Sequence, residues 1–334
     1  MSPLVQTTRR RFVLGLSALF VPPFVAACGT APSAPGAIPT LTLGPTAPRP
    51  TATSAATAIP PTPSPTVIPS PTPSFPTDAQ GFADPTFRKL WETTDRAIAD
   101  GKASRSWLWG PKPFAIKQEP YDGAPTGTRL VQYFDKSRME INDPQADRAS
   151  QWFVTNGLLT SEMVAGRVQI GRETFEDLEP AEVPVAGDLE SPDQRTPRYA
   201  DFTRVASIAN NNRAPRQLGT TVLTRFTRDG ATEVEAKPPL LVKIADYNDT
   251  LGHNMADVFV DYLRSIGLNW IFVTGYPISE PYWIVARGGG ESQVVLMQLF
   301  ERRALTYNPR NKEGWRVEFA NIGLHYYRWR YHNR

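Results

Sequence analysis

The sequence predicts an α+β body made of two divergent copies of one unit, a helix followed by an antiparallel β-hairpin, with a mixed insertion between them. Three observations predict it. Apolar residues recur at helical spacing at the start of each copy. Alternating apolar runs of strand length follow. Further elements occur twice in the same order. The first copy reads Trp109-Gly110-Pro111, Glu119-Pro120-Tyr121, Val131-Gln132-Tyr133-Phe134-Asp135-Lys136 and Ile141-Asn142-Asp143-Pro144, then Trp152 and Asn156-Gly157. The second reads Thr274-Gly275-Tyr276-Pro277, Glu280-Pro281-Tyr282, Met297-Gln298-Leu299-Phe300-Glu301-Arg302 and Tyr307-Asn308-Pro309, then Trp315 and Asn321-Ile322-Gly323. Gly275 stands 165 residues after Gly110, Glu280 161 after Glu119 and Gln298 166 after Gln132, so order holds and only loop lengths drift.

The first copy spans 82–171. Phe87, Leu90, Trp91 and Ile98 predict its helix, with Thr94 and Asp95 on the polar side. Leu130–Phe134 and Arg138–Ile141 read as the strand pair, closed by Asn142-Asp143-Pro144 because proline cannot continue a central ladder. The insertion, 172–247, is loop-rich from Pro180 to Pro197. A short helix is expected at Ala200–Ala209, and strands at Gly219–Phe226 and Ala231–Ala236 around the turn Asp229-Gly230. The second copy spans 248–331. Thr250 or Asn254 caps a helix whose apolar positions are Met255, Val258, Phe259, Tyr262 and Leu263. Val294–Phe300 and Ala304–Tyr307 form its strands. Gly288-Gly289-Gly290 reads as a hairpin turn, not a phosphate loop, since no helix follows. The alternation Tyr327-Arg328-Trp329-Arg330-Tyr331 predicts a terminal strand with aromatics on one face.

Ahead of the body, composition changes twice. Residues 1–27 have an arginine-bearing start, Thr8-Arg9-Arg10-Arg11-Phe12, an apolar run from Val13 to Val21 and the small residues Ala26-Ala27 before Cys28. This is the layout of a signal peptide, and with Pro22-Pro23 inside it is a poor membrane span. Residues 28–77 form a tether: 29–77 hold 14 of the chain's 33 prolines and 11 threonines, a composition that cannot bury enough apolar surface to offset its ordering entropy. The body, 78–334, holds all 8 tryptophans and all 11 tyrosines. The chain carries 36 basic and 33 acidic residues, and Arg9, Arg10 and Arg11 account for the whole excess of +3. A neutral body argues against a nucleic-acid partner held through phosphates. Cys28 is the single cysteine, so the body has no disulfide and no thiolate metal site, and no cofactor is implied.

Val25-Ala26-Ala27-Cys28 resembles the lipobox of bacterial lipoproteins, and the arginines before Phe12 resemble a twin-arginine export signal. The resemblance implies lipidation of Cys28, anchorage to the membrane through that lipid, and an extracytoplasmic body on the outer face of a bacterial cell membrane. Gly275-Tyr276-Pro277-x-x-Glu280, Gln298-x-Phe300-Glu301-Arg302 and Tyr307-x-Pro309 resemble repeats of uncharacterised exported bacterial proteins. More distantly, the Gly-x-Pro turn and the aromatic strand after it are similar to the LGFP repeat, which implies association with the cell wall. The body lacks the Leu before the Gly of that repeat.

Candidate site residues come from the repeated elements. Glu119 and Glu280 hold matching places in Glu-Pro-Tyr, and as a pair could act as acid and base in glycoside hydrolysis. Alternatively each caps a turn or pairs with Lys136 or Arg302 in its own unit. Flat rings beside amides and charges suit carbohydrate, which marks Tyr121, Gln132, Tyr282, Trp283, Gln298 and Trp315 as ligand-binding candidates. The other reading of these rings is core, and that of the glutamines is a hydrogen bond to turn backbone. His253, His325 and His332 show no metal-ligand spacing. The leading functional expectation is a non-catalytic, tethered lipoprotein that binds an envelope glycan or peptidoglycan. The alternatives are an envelope glycoside hydrolase and an interaction module without a small ligand.

Overall fold

The computed structural model describes residues 75–332, so the signal, Cys28 and the tether up to residue 74 lie outside the described residues. Among the described residues no helix is long and apolar enough to cross a membrane.

Asp84 starts the first helix by accepting the N–H of Thr86 at 2.8 Å, with Pro85 at the position where a missing N–H costs nothing. Helix α1 (Pro85–Thr94) buries Phe87 and Trp91, and the short α2 (Arg96–Ala99) follows. Strands β1 (Pro113–Pro120), β2 (Thr128–Phe134), β3 (Ser137–Ile141) and β4 (Thr155–Asn156) form an antiparallel meander, then helix α3 (Leu159–Ala165) ends at Gly166. The hairpin β5 (Arg167–Gln169) and β6 (Phe175–Asp177), a 3-10 turn at Tyr199–Phe202, and the hairpin β7 (Thr224–Phe226) and β8 (Thr232–Val234) follow. A third hairpin, β9 (Ile244–Asn248) with β10 (His253–Ala256), leads into α4 (Asp257–Ser265) and α5 (Trp270–Thr274). Strands β11 (Tyr282–Gly288), β12 (Glu291–Leu299), β13 (Ala304–Tyr307) and β14 (Val317–Phe319) make a second antiparallel meander, and α6 (Ile322–Tyr331) closes the body. β7 joins the free edge of β11 in parallel, so the inserted β7–β8 hairpin extends this sheet to six strands. The α+β class is thus observed. Residues 85–165 and 257–331 run through the same element order: two helices, four antiparallel strands, one helix.

Both faces of each meander carry buried residues. Along β12, Leu296 joins one apolar cluster with Trp91 and Phe259, while Val295, Met297 and Leu299 join another with Met163 and Tyr326. The halves also exchange contacts. Lys136 donates its backbone N–H to Trp109 O at 2.8 Å, and Arg302 donates its own to Thr274 O at 2.9 Å. The Lys136 side chain crosses to Phe319 O at 2.7 Å, and the Arg302 guanidinium crosses to Asn156 O. Likewise, Gly323 at the start of α6 donates to Asp135 O at 3.0 Å, and Ser161 at the start of α3 donates to Glu301 O at 3.0 Å.

Several sequence expectations need correction. Residues 253–256 are strand, so α4 starts at Asp257 and neither Thr250 nor Asn254 caps it; pairing of His253–Ala256 with β9 takes those residues. Tyr327–Tyr331 is helix, because burial of Ile322, Tyr326, Trp329 and Arg330 follows helical spacing that a five-residue window hides. Thr94 and Asp95 are buried, since the loop 106–110 folds over them. The helix expected at Ala200–Ala209 shrinks to the 3-10 turn. The two Glu-Pro-Tyr tripeptides are not equivalent in register. Glu119 lies opposite Arg129, three residues before Gln132, whereas Tyr282 already lies opposite Met297, one before Gln298. Glu119-Pro120 ends its strand and Glu280-Pro281 precedes its strand. Lys136 and Arg302 reach backbone carbonyls of the other half instead of Glu119 and Glu280.

Candidate functional site

The chemistry-bearing side chains separate into a buried ionic network, a core set and several open pockets. The network joins β1, β2, β3, α3 and α6. Arg138, fully buried, donates from Nη1 to Glu119 at 3.2 Å and from Nε to Glu140 at 2.8 Å, and its Nη2 lies 3.6 Å from Glu162. Glu119 also accepts from Tyr133 OH at 2.6 Å, Tyr331 OH at 2.7 Å and Arg330 at 2.6 Å. Arg129 stands 3.5 Å from both Glu119 and Glu140, and Tyr326 OH donates to Glu162. Three glutamates thus face three arginines, which makes the burial of six charges tolerable. Burial raises the Glu119 pKa, but Arg138, Arg330 and Arg129 outweigh it and hold that carboxyl far below the usual range. Burial likewise raises Glu140, which Arg129 and Arg138 bring below its usual value. At Glu162 burial wins over Arg138 and Arg129, and the pKa is raised. Nothing in sequence pairs Glu119 with Arg330, 211 residues away, so reasoning from local motifs missed this cluster.

Glu280 belongs elsewhere. It accepts from Asn254 N–H at 2.9 Å and Asn254 Nδ2 at 2.8 Å, and lies 3.1 Å from His253 Nδ1, at the edge of a cavity of about 220 Å³. Among the described residues it shares no hydrogen-bond or ion-pair partner with Glu119, which is enclosed in the ionic network while Glu280 lines a cavity. Asp95 is a third buried carboxylate, accepting the backbone N–H groups of Leu108, Trp109 and Gly110 at 2.9, 2.7 and 3.2 Å. His325 is buried with Nδ1 2.8 Å from Tyr199 OH; burial, with lesser help from Lys136 and Arg328, depresses its pKa to about 3.

Most ligand candidates are core. Tyr121 is covered by the Arg129 guanidinium at 4.8 Å. Tyr282 stacks against Phe226 at 5.1 Å beside the Glu280 cavity, and Trp283 is fully buried with Nε1 donating to Val222 O at 2.8 Å. Gln132 clasps the incoming chain: Oε1 accepts from Ala83 N–H at 3.1 Å and Nε2 donates to Gly81 O at 2.6 Å. Gln298 does the same for other loops, donating to Asn254 O at 2.6 Å and Ser279 O at 2.9 Å. Trp315, half-buried, accepts at its backbone carbonyl from Asn311 Nδ2 at 3.0 Å, and Asn311 lines an open site that the Trp315 ring does not.

That site is a cleft of about 380 Å³ on the second meander. Register puts Ala286, Gln293, Val295, Thr306 and Glu318 on one face. Farther along that face, Met297 and Leu299 are core; toward the β11–β12 turn the cover ends. The loop at Gly187 roofs it, close enough that a Cβ there would meet Arg287 O at 2.4 Å, and Gly187 has φ +90°. Asn308 Nδ2 donates to Gln293 at 2.8 Å, and Asn311 Nδ2 to Glu318 at 3.2 Å. Glu318 enters no ion pair among the described residues. Amides, a hydroxyl and a carboxylate are therefore held on a rigid sheet, where they can bind hydroxyl and amide groups. The cleft lining holds one carboxylate and no imidazole or thiol, a donor set suited to recognition more than to acid–base turnover. Among the described residues no group of three His, Cys, Asp or Glu side chains could hold a metal ion. No protein family, curated protein or solved structure matches the chain.

Proposed function

We propose that this chain is a tethered surface lipoprotein whose body binds a cell-envelope glycan or peptidoglycan component without catalysis. The observation that carries the reading is the convergence of Gln293, Thr306, Asn308, Asn311 and Glu318 in one open cleft on a sheet face. These side chains are half-buried and hydrogen-bonded to one another, so they stand preorganised with polar atoms within reach of a ligand. Asn308 belongs to the Tyr-Asn-Pro element, and the carbonyl of Trp315, the tryptophan that follows it, holds the cleft's Asn311, so the cleft draws on the repeated part of the sequence. The common element order and the reciprocal Lys136 and Arg302 contacts support descent of the two halves from one duplicated unit. The lipobox at Cys28 and the proline-rich tether support an extracytoplasmic, membrane-anchored location.

The test is retention of the purified protein on purified bacterial cell wall. Wild-type protein should be retained above a control protein, and the Gln293→Ala/Asn308→Ala double variant should not. Equal elution of wild type and control overturns the binding reading. For the anchor, Cys28→Ala should move the protein out of the membrane fraction, and undiminished membrane association overturns lipidation.

A further inference from the structure

We propose a second binding site between α6 and β1, for a saccharide ring that bears a carboxylate. It goes beyond the cleft reading, because the two pockets share no lining residue. Phe114 of β1 is 40 % exposed and stands edge-on to Tyr327 at 5.3 Å, and Tyr327 packs on Tyr331 at 4.8 Å. Phe114 and Tyr327 border, with Leu189 and Leu324, a pocket of about 540 Å³. An exposed ring braced by two others is an apolar surface that a flat C–H face can cover.

Arg328 and Glu190 both line the pocket, and a second cation, Lys117, stands beside it against the rings. Lys117 holds its ammonium 5.7 Å over the Tyr327 ring and 5.0 Å over the Tyr331 ring, and has no carboxylate partner among the described residues. Arg328 lines the pocket and pairs with Glu190 at 3.2 Å. That pair is exposed on both sides, 41 % for Arg328 and 88 % for Glu190, so it contributes little and exchanges readily for a ligand carboxylate. A sugar ring on Phe114 would place a ring carboxylate toward Lys117 and Arg328, and leave its hydroxyls to His332 and the rim. A neutral sugar would leave both cations to water. An apolar acid would leave the rim unused.

The experiment is calorimetric titration of the full chain, at low salt, with a galacturonate trimer and with the same trimer after carboxyl reduction. The acidic trimer should bind about tenfold more tightly, the range of one charge-assisted contact. Lys117→Met should erase that preference, Phe114→Ala should weaken both ligands, and Glu190→Gln should tighten the acidic one. Equal affinity for the two trimers, a preference that survives Lys117→Met, or no binding of either trimer overturns the proposal. Wall retention through Gln293 and Asn308 reads the cleft separately, so either site can fail without the other.

Discussion

Replacing His325 with Gln should remove one proton's worth of acid sensitivity from the body. The folded imidazole has a pKa near 3, and an unfolded one titrates near 6.5. The folded state therefore prefers the neutral ring. Its contribution is fully present above pH 6.5 and declines as pH falls toward 3, because the unfolded chain binds a proton that the folded chain refuses. At pH 5 the unfolded state gains about 2 kcal/mol relative to pH 8 through this group alone. Urea unfolding of wild type and His325→Gln at both pH values isolates it, since every other titrating group is common to the two proteins. Gln keeps an oxygen or N–H for Tyr199. The wild type should lose about 2 kcal/mol more than the variant between pH 8 and pH 5. Identical pH dependence in the two proteins would refute a buried neutral His325.

Glu119→Gln should lower Tm by about 6–20 °C, as the loss of a buried carboxylate facing three arginines costs about 3–5 kcal/mol; scanning calorimetry reads it, and a shift under 2 °C speaks against the network as drawn. Glu162 titrates with the opposite sign: its raised folded pKa favours the body at low pH, and the benefit fades as pH rises from the ordinary glutamate value through the folded one, so Glu162→Gln should gain on wild type as pH rises from below the ordinary glutamate range to pH 8 in a urea assay. Gly323→Ala should cost at least about 3 kcal/mol, because the new Cβ would lie 1.8 Å from Phe134 O, and limited proteolysis should then cut near α6 first. Asp95→Ala should cost about 1–3 kcal/mol by stranding the N–H groups of Leu108, Trp109 and Gly110, measurable by urea unfolding.

Where residues close in sequence decide the structure, the sequence was readable. Helical spacing found α1 and most of α4, alternation found β2, β3, β12 and β13, and the glycines at 288–290 sit at the β11–β12 turn with Gly289 and Gly290 at φ +60° and +86°. β1 escaped because its burial does not alternate and proline stands at both ends. The Glu-Pro-Tyr match misled because a shared tripeptide carries no register, and strand pairing set Glu119 and Tyr282 at different rungs. The glutamines 132 and 298 turned out to tie down backbone, one of the two readings open for them. The cleft was only partly visible: Asn308 stood out, and Trp315 holds its Asn311 through a backbone carbonyl, but Gln293 and Glu318 reach the same face through pairing across three strands. Phe114, Lys117 and Tyr327 meet only because α6 packs beside β1, which no local pattern announces.

The placement of Gly323 on Asp135 and of Arg330 on Glu119 also sets an order of events during synthesis. The first meander, complete by residue 156, has its arginines and glutamates in place long before α6 exists to cover them. A ribosome adding about 5–20 residues per second needs on the order of ten seconds or more to reach residue 331 from there. For that interval Glu119, Arg129 and Arg138 remain hydrated at an unfinished surface. Among the described elements α6 is made last, and a nascent chain interrupted before Ile322 would present open sheet to whatever surveys it.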